Sequence, residues 1–287
     1  MEEFIKSKMN IVFSDFLNFA GKERLCELKD FNYCERKFPI YNNIKHQQLY
    51  LLRYFPAYLS EYKYLYQKIT NEAKLTEYNV LSIGCGCFLD YHGLVFALSQ
   101  SSKPIKYTGI DIIEWNYNHL FLDQNIQFSQ IKIEDYEFPL STDHNIIFFP
   151  KSLSEIPDDG LNVLLGNLQK INFTSDYIYL VSSTMDKGFV HDEGKYKRII
   201  SAFENISFYC NSYQPTQELK KKAFLHFDND FYYPDSVKNY LNSLHEKCVE
   251  YTTNNKNCKD DCINITRSPI LTTNHVSFII NILERKI

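Results

Sequence analysis

Short apolar runs alternate with amphipathic segments through the middle of the chain. The apolar runs have the length of buried strands and lie at 80–84, 107–111, 126–131, 145–149 and 177–181. Helix-like segments follow the first two, at 89–100 and 114–123. Strands that alternate with helices indicate parallel pairing through crossover helices. The pattern therefore predicts an α/β fold with a doubly wound, mostly parallel sheet.

The first 78 residues have a different pattern. They contain one glycine, and apolar and aromatic side chains recur at helical spacing, as in Leu51, Tyr54, Phe55 and Tyr58. We predict an α-helical N-terminal cap over 1–78. The aromatic stripe has two interpretations, core packing against the next domain or a lid over a substrate.

The remaining residues, 79–287, are expected to form the sheet domain. Its last part has no glycine after Gly194, a helix is predicted after Pro234, and an alternating segment at 275–285 predicts a closing strand. The polar, asparagine-rich residues around 251–267 indicate a surface loop or insertion.

Composition narrows the function classes. The chain has 287 residues, 44% of them hydrophobic, and a formal charge of -4, which gives no basic field for nucleic acid. The N-terminus lacks the basic start and unbroken apolar core of a signal peptide, and no apolar run is long enough to span a bilayer. We expect a cytoplasmic protein without a membrane segment, with most of its eight cysteines as thiols. The oligomeric state cannot be read from the sequence.

Two of the nine glycines, Gly84 and Gly86, follow the first predicted strand in VLSIGCGCFLD. This position, between a strand and a helix, is where doubly wound sheets bind ligands. A dinucleotide motif would place a third glycine at Leu89, and the next residue, Asp90, would repel a diphosphate. We expect Asp90 to face an ammonium group instead. The helix start is also expected to lower the thiol pKa of a cysteine in the turn.

These motifs resemble those of the class I S-adenosylmethionine (SAM) dependent methyltransferases, over roughly residues 78–185. The resemblance implies a Rossmann-like fold and SAM as the cofactor. It also implies that the glycine turn lies against the methionine part of SAM, that the acidic residue ending YTGID holds the ribose hydroxyls, and that the next residue contacts the adenine. In QIKIEDYEF, either carboxylate of the acidic pair would meet the adenine amine. The cofactor-binding residues on this basis are Gly84, Cys85, Gly86, Asp90, Asp111, Ile112, Glu134 and Asp135.

The fourth strand continues as NIIFFPKSLSEIPDD, which lacks the Asp/Asn-Pro-Pro-aromatic signature of adenine amino methyltransferases. No cysteine follows a proline, as one does in cytosine carbon methyltransferases. Ser152 and Glu155 have the spacing of a capping box, so we assign them to structure. Lys151 is a candidate to face the substrate. His191 is the other catalytic candidate, as a general base in a loop, although a solvated helix start explains it equally well.

The cysteines allow a further hypothesis. Cys248, Cys258 and Cys262 lie near His245, and three sulfurs with an imidazole can hold zinc. No Cys-x-x-Cys pair occurs, however, and scattered thiols are the simpler explanation.

The sequence thus favours a SAM-dependent methyltransferase. We expect a small-molecule acceptor rather than RNA or protein, but the sequence does not identify it. Two alternatives stay open: a catalytically inactive SAM-binding sensor or scaffold, and a nicotinamide-dependent oxidoreductase.

Overall fold

The computed structural model describes residues 1–20, 41–72, 75–99, 101–184, 189–210, 231–242 and 277–286. Its helices are α1 (Glu2–Ala20), α2 (Ile44–Glu72), α3 (Leu89–Ala97), α4 (Asn118–Phe121), α5 (Asp158–Leu168), α6 (Phe189–Glu204) and α7 (Asp235–Asn242). Its strands are β1 (Tyr78–Ile83), β2 (Ile105–Asp111), β3 (Ile126–Gln130), β4 (Ser141–Thr142), β5 (Ile146–Pro150), β6 (Asn172–Phe173), β7 (Tyr177–Thr184), β8 (Phe208–Cys210) and β9 (Ser277–Arg285).

Seven of these strands form one sheet in the order β3-β2-β1-β5-β7-β9-β8. The pairs from β3 through β7 are parallel, and β9 runs antiparallel to both of its neighbours. On one side of β1 lie β2 and then β3, whereas β5 and then β7 lie on its other side. The direction in which successive strands are added therefore switches between β1 and β5. The predicted doubly wound, mostly parallel sheet is confirmed. In sheets of this kind, ligands bind at the carboxyl ends of the strands beside such a switch.

The predicted elements differ from the observed ones mainly in helix length. The expected helix at 114–123 is reduced to the four residues of α4, and the helix after β1 ends at Ala97. The segment around 251–267 lies outside the described residues, as do Cys248, Cys258, Cys262 and His245. No helix in the described ranges has both the length and the apolar character needed to cross a membrane.

The described residues divide into two compact units within α2. One comprises those of Met1–Ser60, Trp115–Leu120 and Asp228–Thr272, and the other those of Glu61–Glu114, Phe121–Phe227 and Thr273–Ile287. The units therefore divide at Ser60 rather than at residue 78. Because this division covers only part of the chain, the predicted cap over 1–78 and sheet domain over 79–287 stay predictions.

In the first unit, α1, the start of α2 and α7 pack through aromatic side chains. The ring of Phe13 lies 5.2 Å from that of Tyr240, and Tyr54 stacks on Tyr58 with 5.3 Å between centroids. Tyr54 and Tyr58 are at most 5% exposed. Burial of this kind supports core packing for the aromatic stripe, since a lid would present these rings to a substrate.

The second unit contains the sheet, with a core on each face. One face packs on α5 and α6 through fully buried side chains that include Leu81, Ile147, Leu161, Leu180 and Ile199. On the other, the end of α2 places the rings of Tyr62 and Tyr66 edge-on against Phe148 of β5. All positions of β1 and β5 are buried, as expected for central strands covered on both faces.

Candidate functional site

The glycine turn after β1 has the backbone conformation that only glycine adopts easily. Gly84 has φ +74° and Gly86 has φ +55°. The Gly84 amide donates to the Ile110 carbonyl of β2 at 2.7 Å, so the turn is fixed to the end of the neighbouring strand. A Cβ atom on Gly84 would lie 2.3 Å from Cβ of Ser152. The turn is therefore built around the absence of side chains at both positions.

Asp111 ends β2 directly beside this turn. Its Oδ2 accepts the Gly86 amide at 2.8 Å, and its Oδ1 accepts the Ile113 amide at 2.8 Å. Burial raises the pKa of Asp111, while these backbone bonds oppose the shift. A carboxylate has about four lone-pair positions. Two are used here, so both oxygens keep capacity for the hydroxyls of a ribose.

The other predicted cofactor residues lie along the same edge of the sheet. Ile112 is 40% exposed, which leaves an apolar surface next to Asp111. Glu134 and Asp135 form a 3-10 turn after β3. Asp135 is exposed, whereas Glu134 is half-buried, with one carboxylate oxygen 3.0 Å from where a Cβ on Gly160 of α5 would lie. Which of the two would meet an adenine amine stays a prediction.

Cys85 and Cys87 do not have the character expected from the sequence. Both are buried free thiols, and the Cys85 side chain packs close to Gly109 of β2. Burial raises the pKa of both thiols well above the ordinary value, and the charge of Asp111 raises it further. The expected lowering by a helix start is therefore wrong, because desolvation outweighs the helix-end potential. Cys85 belongs to the turn through its backbone, whose amide donates to Ile110.

Asp90 does not occupy the position expected for a ligand-facing carboxylate. It is fully buried in α3, and both of its oxygens accept the Tyr107 hydroxyl, at 2.8 and 2.9 Å. Burial raises its pKa to about 6, against the opposing effect of its hydrogen bonds. We predicted that Asp90 faces an ammonium group, directly or through water; its burial does not agree with direct contact, and a role toward the cofactor stays a prediction. Asp90 instead connects α3 to β2 through its hydrogen bonds with Tyr107.

The raised pKa of Asp90 predicts a specific pH dependence of stability. Between the unfolded pKa near 3.8 and the folded pKa of about 6, the folded chain binds a proton that the unfolded chain does not. Stability from this group is therefore present at low pH and lost as pH rises through 6. We expect the free energy of unfolding of wild type minus that of Asp90→Asn to fall by about 1–2 kcal/mol between pH 5 and pH 8. Urea unfolding at both pH values measures this difference, and a constant difference would contradict it.

The segment after β5 does not form the capping box that its sequence suggests. The Ser152 side chain makes no helix-cap bond, and its hydroxyl donates to the Ile83 carbonyl at the end of β1. Glu155 closes a 3-10 turn over Leu153–Glu155. The correction has a physical reason, because a buried serine hydroxyl takes the acceptor that the fold places beside it. The segment is thereby attached to the glycine turn.

Lys151 comes directly before this segment and is part of a buried ion pair. Its Nζ lies 2.8 Å from Oε2 and 3.0 Å from Oε1 of Glu61 in α2, and the two side chains are 9% and 0% exposed. Lys151 also has φ +59°, a left-handed conformation that is strained for lysine. This geometry supplies a structural role, and a role toward substrate stays a prediction.

Glu155 is a residue that the sequence reasoning missed as a site candidate. It is solvent-exposed. Its pKa is raised to about 7, chiefly by desolvation and with contributions from the negative charges of Asp111 and Asp192. Only the tertiary position of Asp111 and Asp192 reveals this, because neither is near Glu155 in sequence.

The other catalytic candidate and the metal hypothesis are not resolved by these contacts. His191 lies in the first turn of α6, which agrees with a helix start, but its side chain is not among those described. Within the described ranges, no group of three His, Cys, Asp or Glu side chains could hold a metal ion. The residues proposed for zinc lie outside those ranges.

Comparison with known proteins gives similar structures only. No family model matches the chain, and no curated protein matches it. The plantazolicin methyltransferase BpumL, in complex with SAH, is 14% identical over 96% of this chain and 100% of its own, with a TM-score of 0.40. A TehB-like SAM-dependent methyltransferase from Corynebacterium glutamicum is 11% identical over 80% and 100%, with a TM-score of 0.35. The 1,6-didemethyltoxoflavin-N1-methyltransferase of Burkholderia thailandensis, bound to its substrate and S-adenosylhomocysteine, is 10% identical over 56% and 73%, with a TM-score of 0.35.

Likenesses at this level carry no inference about a reaction or an acceptor. The fold follows from the chain's own sheet, with its strand order, its switch between β1 and β5 and its antiparallel β9. By this architecture the chain has a Rossmann-like fold, with the glycine turn at the end of β1 and Asp111 beside it at the end of β2.

Proposed function

We propose that this protein binds SAM at the carboxyl edge of β1 and β2 and transfers its methyl group to an acceptor. The observation that carries the proposal is the bond from the Gly86 amide to the Asp111 carboxylate. It joins the two features that a SAM site needs, an open glycine turn for the methionine part and a carboxylate for the ribose. The next residue, Ile112, is 40% exposed and would offer an apolar surface to the adenine.

The residues of the site fit SAM better than a dinucleotide. The negative charges of Asp111 and Asp192 both act on Glu155, and Asp192 itself is buried. Negative charge beside the turn opposes a diphosphate and favours a ligand that carries a sulfonium and an ammonium group. The same charge argues against a nicotinamide-dependent oxidoreductase, because the pyrophosphate would bind at this turn.

The acceptor is proposed to be a small molecule. The net charge of -4 offers no global attraction for nucleic acid, and methyl transfer from a sulfonium needs mainly in-line positioning of the acceptor atom. Incubation of the protein with isotopically labelled SAM and fractionated cell extract would identify the acceptor. Tight SAM binding without transfer to any fraction, in single-turnover conditions, would favour an inactive sensor or scaffold.

Asp111→Ala is expected to weaken SAM binding by about 10- to 100-fold, because two charge-assisted hydrogen bonds to the ribose would be lost. Isothermal titration calorimetry with SAM, SAH and NAD on wild type and variant measures this effect. Glu137→Ala, which removes an exposed carboxylate, is the control and should leave the affinity unchanged. An unaltered SAM affinity in Asp111→Ala, or preferential binding of NAD by wild type, would contradict the proposal.

A further inference from the structure

Lys195 of α6 is a buried lysine whose ammonium bonds to backbone carbonyls. It is 6% exposed, and its ammonium donates to three backbone carbonyls, Leu153 at 3.3 Å, Ser154 at 3.2 Å and Ile156. An ammonium has three N–H donors. The acceptors lie on both sides of Glu155, so one buried cation fixes the backbone from which the Glu155 side chain extends.

The same segment is held at its other end by the glycine turn. The Ser152 hydroxyl donates to the Ile83 carbonyl, and the Ser152 side chain fills the space where a Gly84 side chain would lie. Residues 152–156 are therefore anchored to the end of β1 by Ser152 and to α6 by Lys195. This double attachment holds the segment that carries Glu155 against the glycine turn, at the edge of the sheet where Asp111 lies.

Building on the proposed function, we propose that Lys195 is a positioning residue that holds Glu155 at the SAM site, and that the Glu155 carboxylate makes this site favour SAM over SAH. The two ligands differ by one methyl group and by the sulfonium charge that it creates. A fixed carboxylate stabilises the charged donor but gains little from the neutral thioether. The protein would thus hold its methyl donor more tightly than the product of transfer.

The ionisation of Glu155 gives this preference a pH dependence. Asp111 at the end of β2 and Asp192 of α6 face Glu155 with negative charge, Lys195 of α6 lies near its backbone, and the Lys151 ammonium is directed to Glu61. With its pKa raised to about 7, Glu155 is mostly neutral at pH 6 and mostly charged at pH 8. The preference for SAM should therefore grow as the pH rises across this interval.

The test is the ratio of the SAH and SAM dissociation constants, measured by calorimetry at pH 6 and pH 8. We expect this ratio in wild type to increase about 3- to 10-fold from pH 6 to pH 8, as one nearby charge forms. Glu155→Gln should have a lower ratio than wild type at pH 8 and a smaller change between the two pH values. The sulfonium charge lowers the pKa of the SAM amino group relative to that of SAH, but this contribution is the same for both proteins, so the difference between them isolates Glu155.

Lys195→Met should reduce the ratio toward that of Glu155→Gln, and Lys195→Arg, which restores buried donors, should recover part of it. Lys197→Met, two residues along the same helix at an exposed ion pair with Glu193, is the control and should behave as wild type. A ratio that rises with pH in Glu155→Gln as much as in wild type would overturn the role of Glu155, and a wild-type ratio in Lys195→Met would overturn that of Lys195. Wild type that binds neither SAM nor SAH would instead refute the proposed function.

Discussion

Lys151→Met is expected to lower the free energy of unfolding by about 3–5 kcal/mol. The substitution keeps most of the side-chain volume but leaves the Glu61 carboxylate, which is fully buried, without its cation. Burial already raises the pKa of Glu61, and the charge and hydrogen bond of Lys151 oppose that shift. Without Lys151 the carboxylate must be buried charged or take up a proton, and both cost free energy at neutral pH.

This mechanism also determines how the deficit depends on pH. In the variant the folded-state pKa of Glu61 should rise further above its unfolded value, so stability is gained as pH falls and lost as pH rises. The difference from wild type should therefore be larger at pH 8 than at pH 5. Chemical denaturation of both proteins at the two pH values measures it, and a deficit that is independent of pH would point to lost packing instead.

Two further variants separate the ion pair from the lysine itself. Glu61→Gln combined with Lys151→Met removes both charges and should recover much of the lost stability. Lys106→Met breaks an ion pair of similar length, 2.7 Å to Asp143, in which the side chains are 64% and 48% exposed. Solvent screens that pair, so its loss should cost far less stability than the loss of the buried pair.

The features that the sequence predicted correctly are determined by local patterns. The strands follow from apolar runs, and the glycine turn follows from Gly84 and Gly86 placed directly after such a run. The role of Asp111 was implied by the resemblance to SAM-dependent methyltransferases, and the parallel pairing of β1 with β2 brings this residue to the same edge of the sheet as the turn. The strands and the turn required only secondary-structure periodicity and the order of residues along the chain.

The contacts that the sequence did not predict join side chains to partners that lie far along the chain. Ser152 bonds to Ile83, 69 residues away, and Lys151 bonds to Glu61, 90 residues away. In each case a polar group inside the fold bonds to a partner that tertiary packing brings close. The local spacing of residues does not predict which partner that is. The Asp90 carboxylate is a nearer example, since Tyr107 sits one strand later and meets it only when α3 packs on β2.

Gly86→Val should abolish detectable SAM binding, a loss of at least about 100-fold. At φ +55° a β-branched residue is strongly disfavoured, so the turn must change its backbone conformation to accept valine. The change would break the bond from the Gly86 amide to Asp111 and would put a side chain where the proposed methionine part of SAM packs. Gly84 is a poorer probe, because a side chain there would collide with Ser152 and disturb the fold itself.

Gly166→Val provides the matched control for this variant. Gly166 lies in α5, and a Cβ atom there would have no neighbour within 4 Å, so the same substitution should leave SAM affinity unchanged. Thermal unfolding of both variants checks that they are folded, and calorimetry with SAM then compares their affinities. If folded Gly86→Val bound SAM within about threefold of wild type, the turn could not be the cofactor site, since a strained and filled turn cannot keep the affinity of an open one.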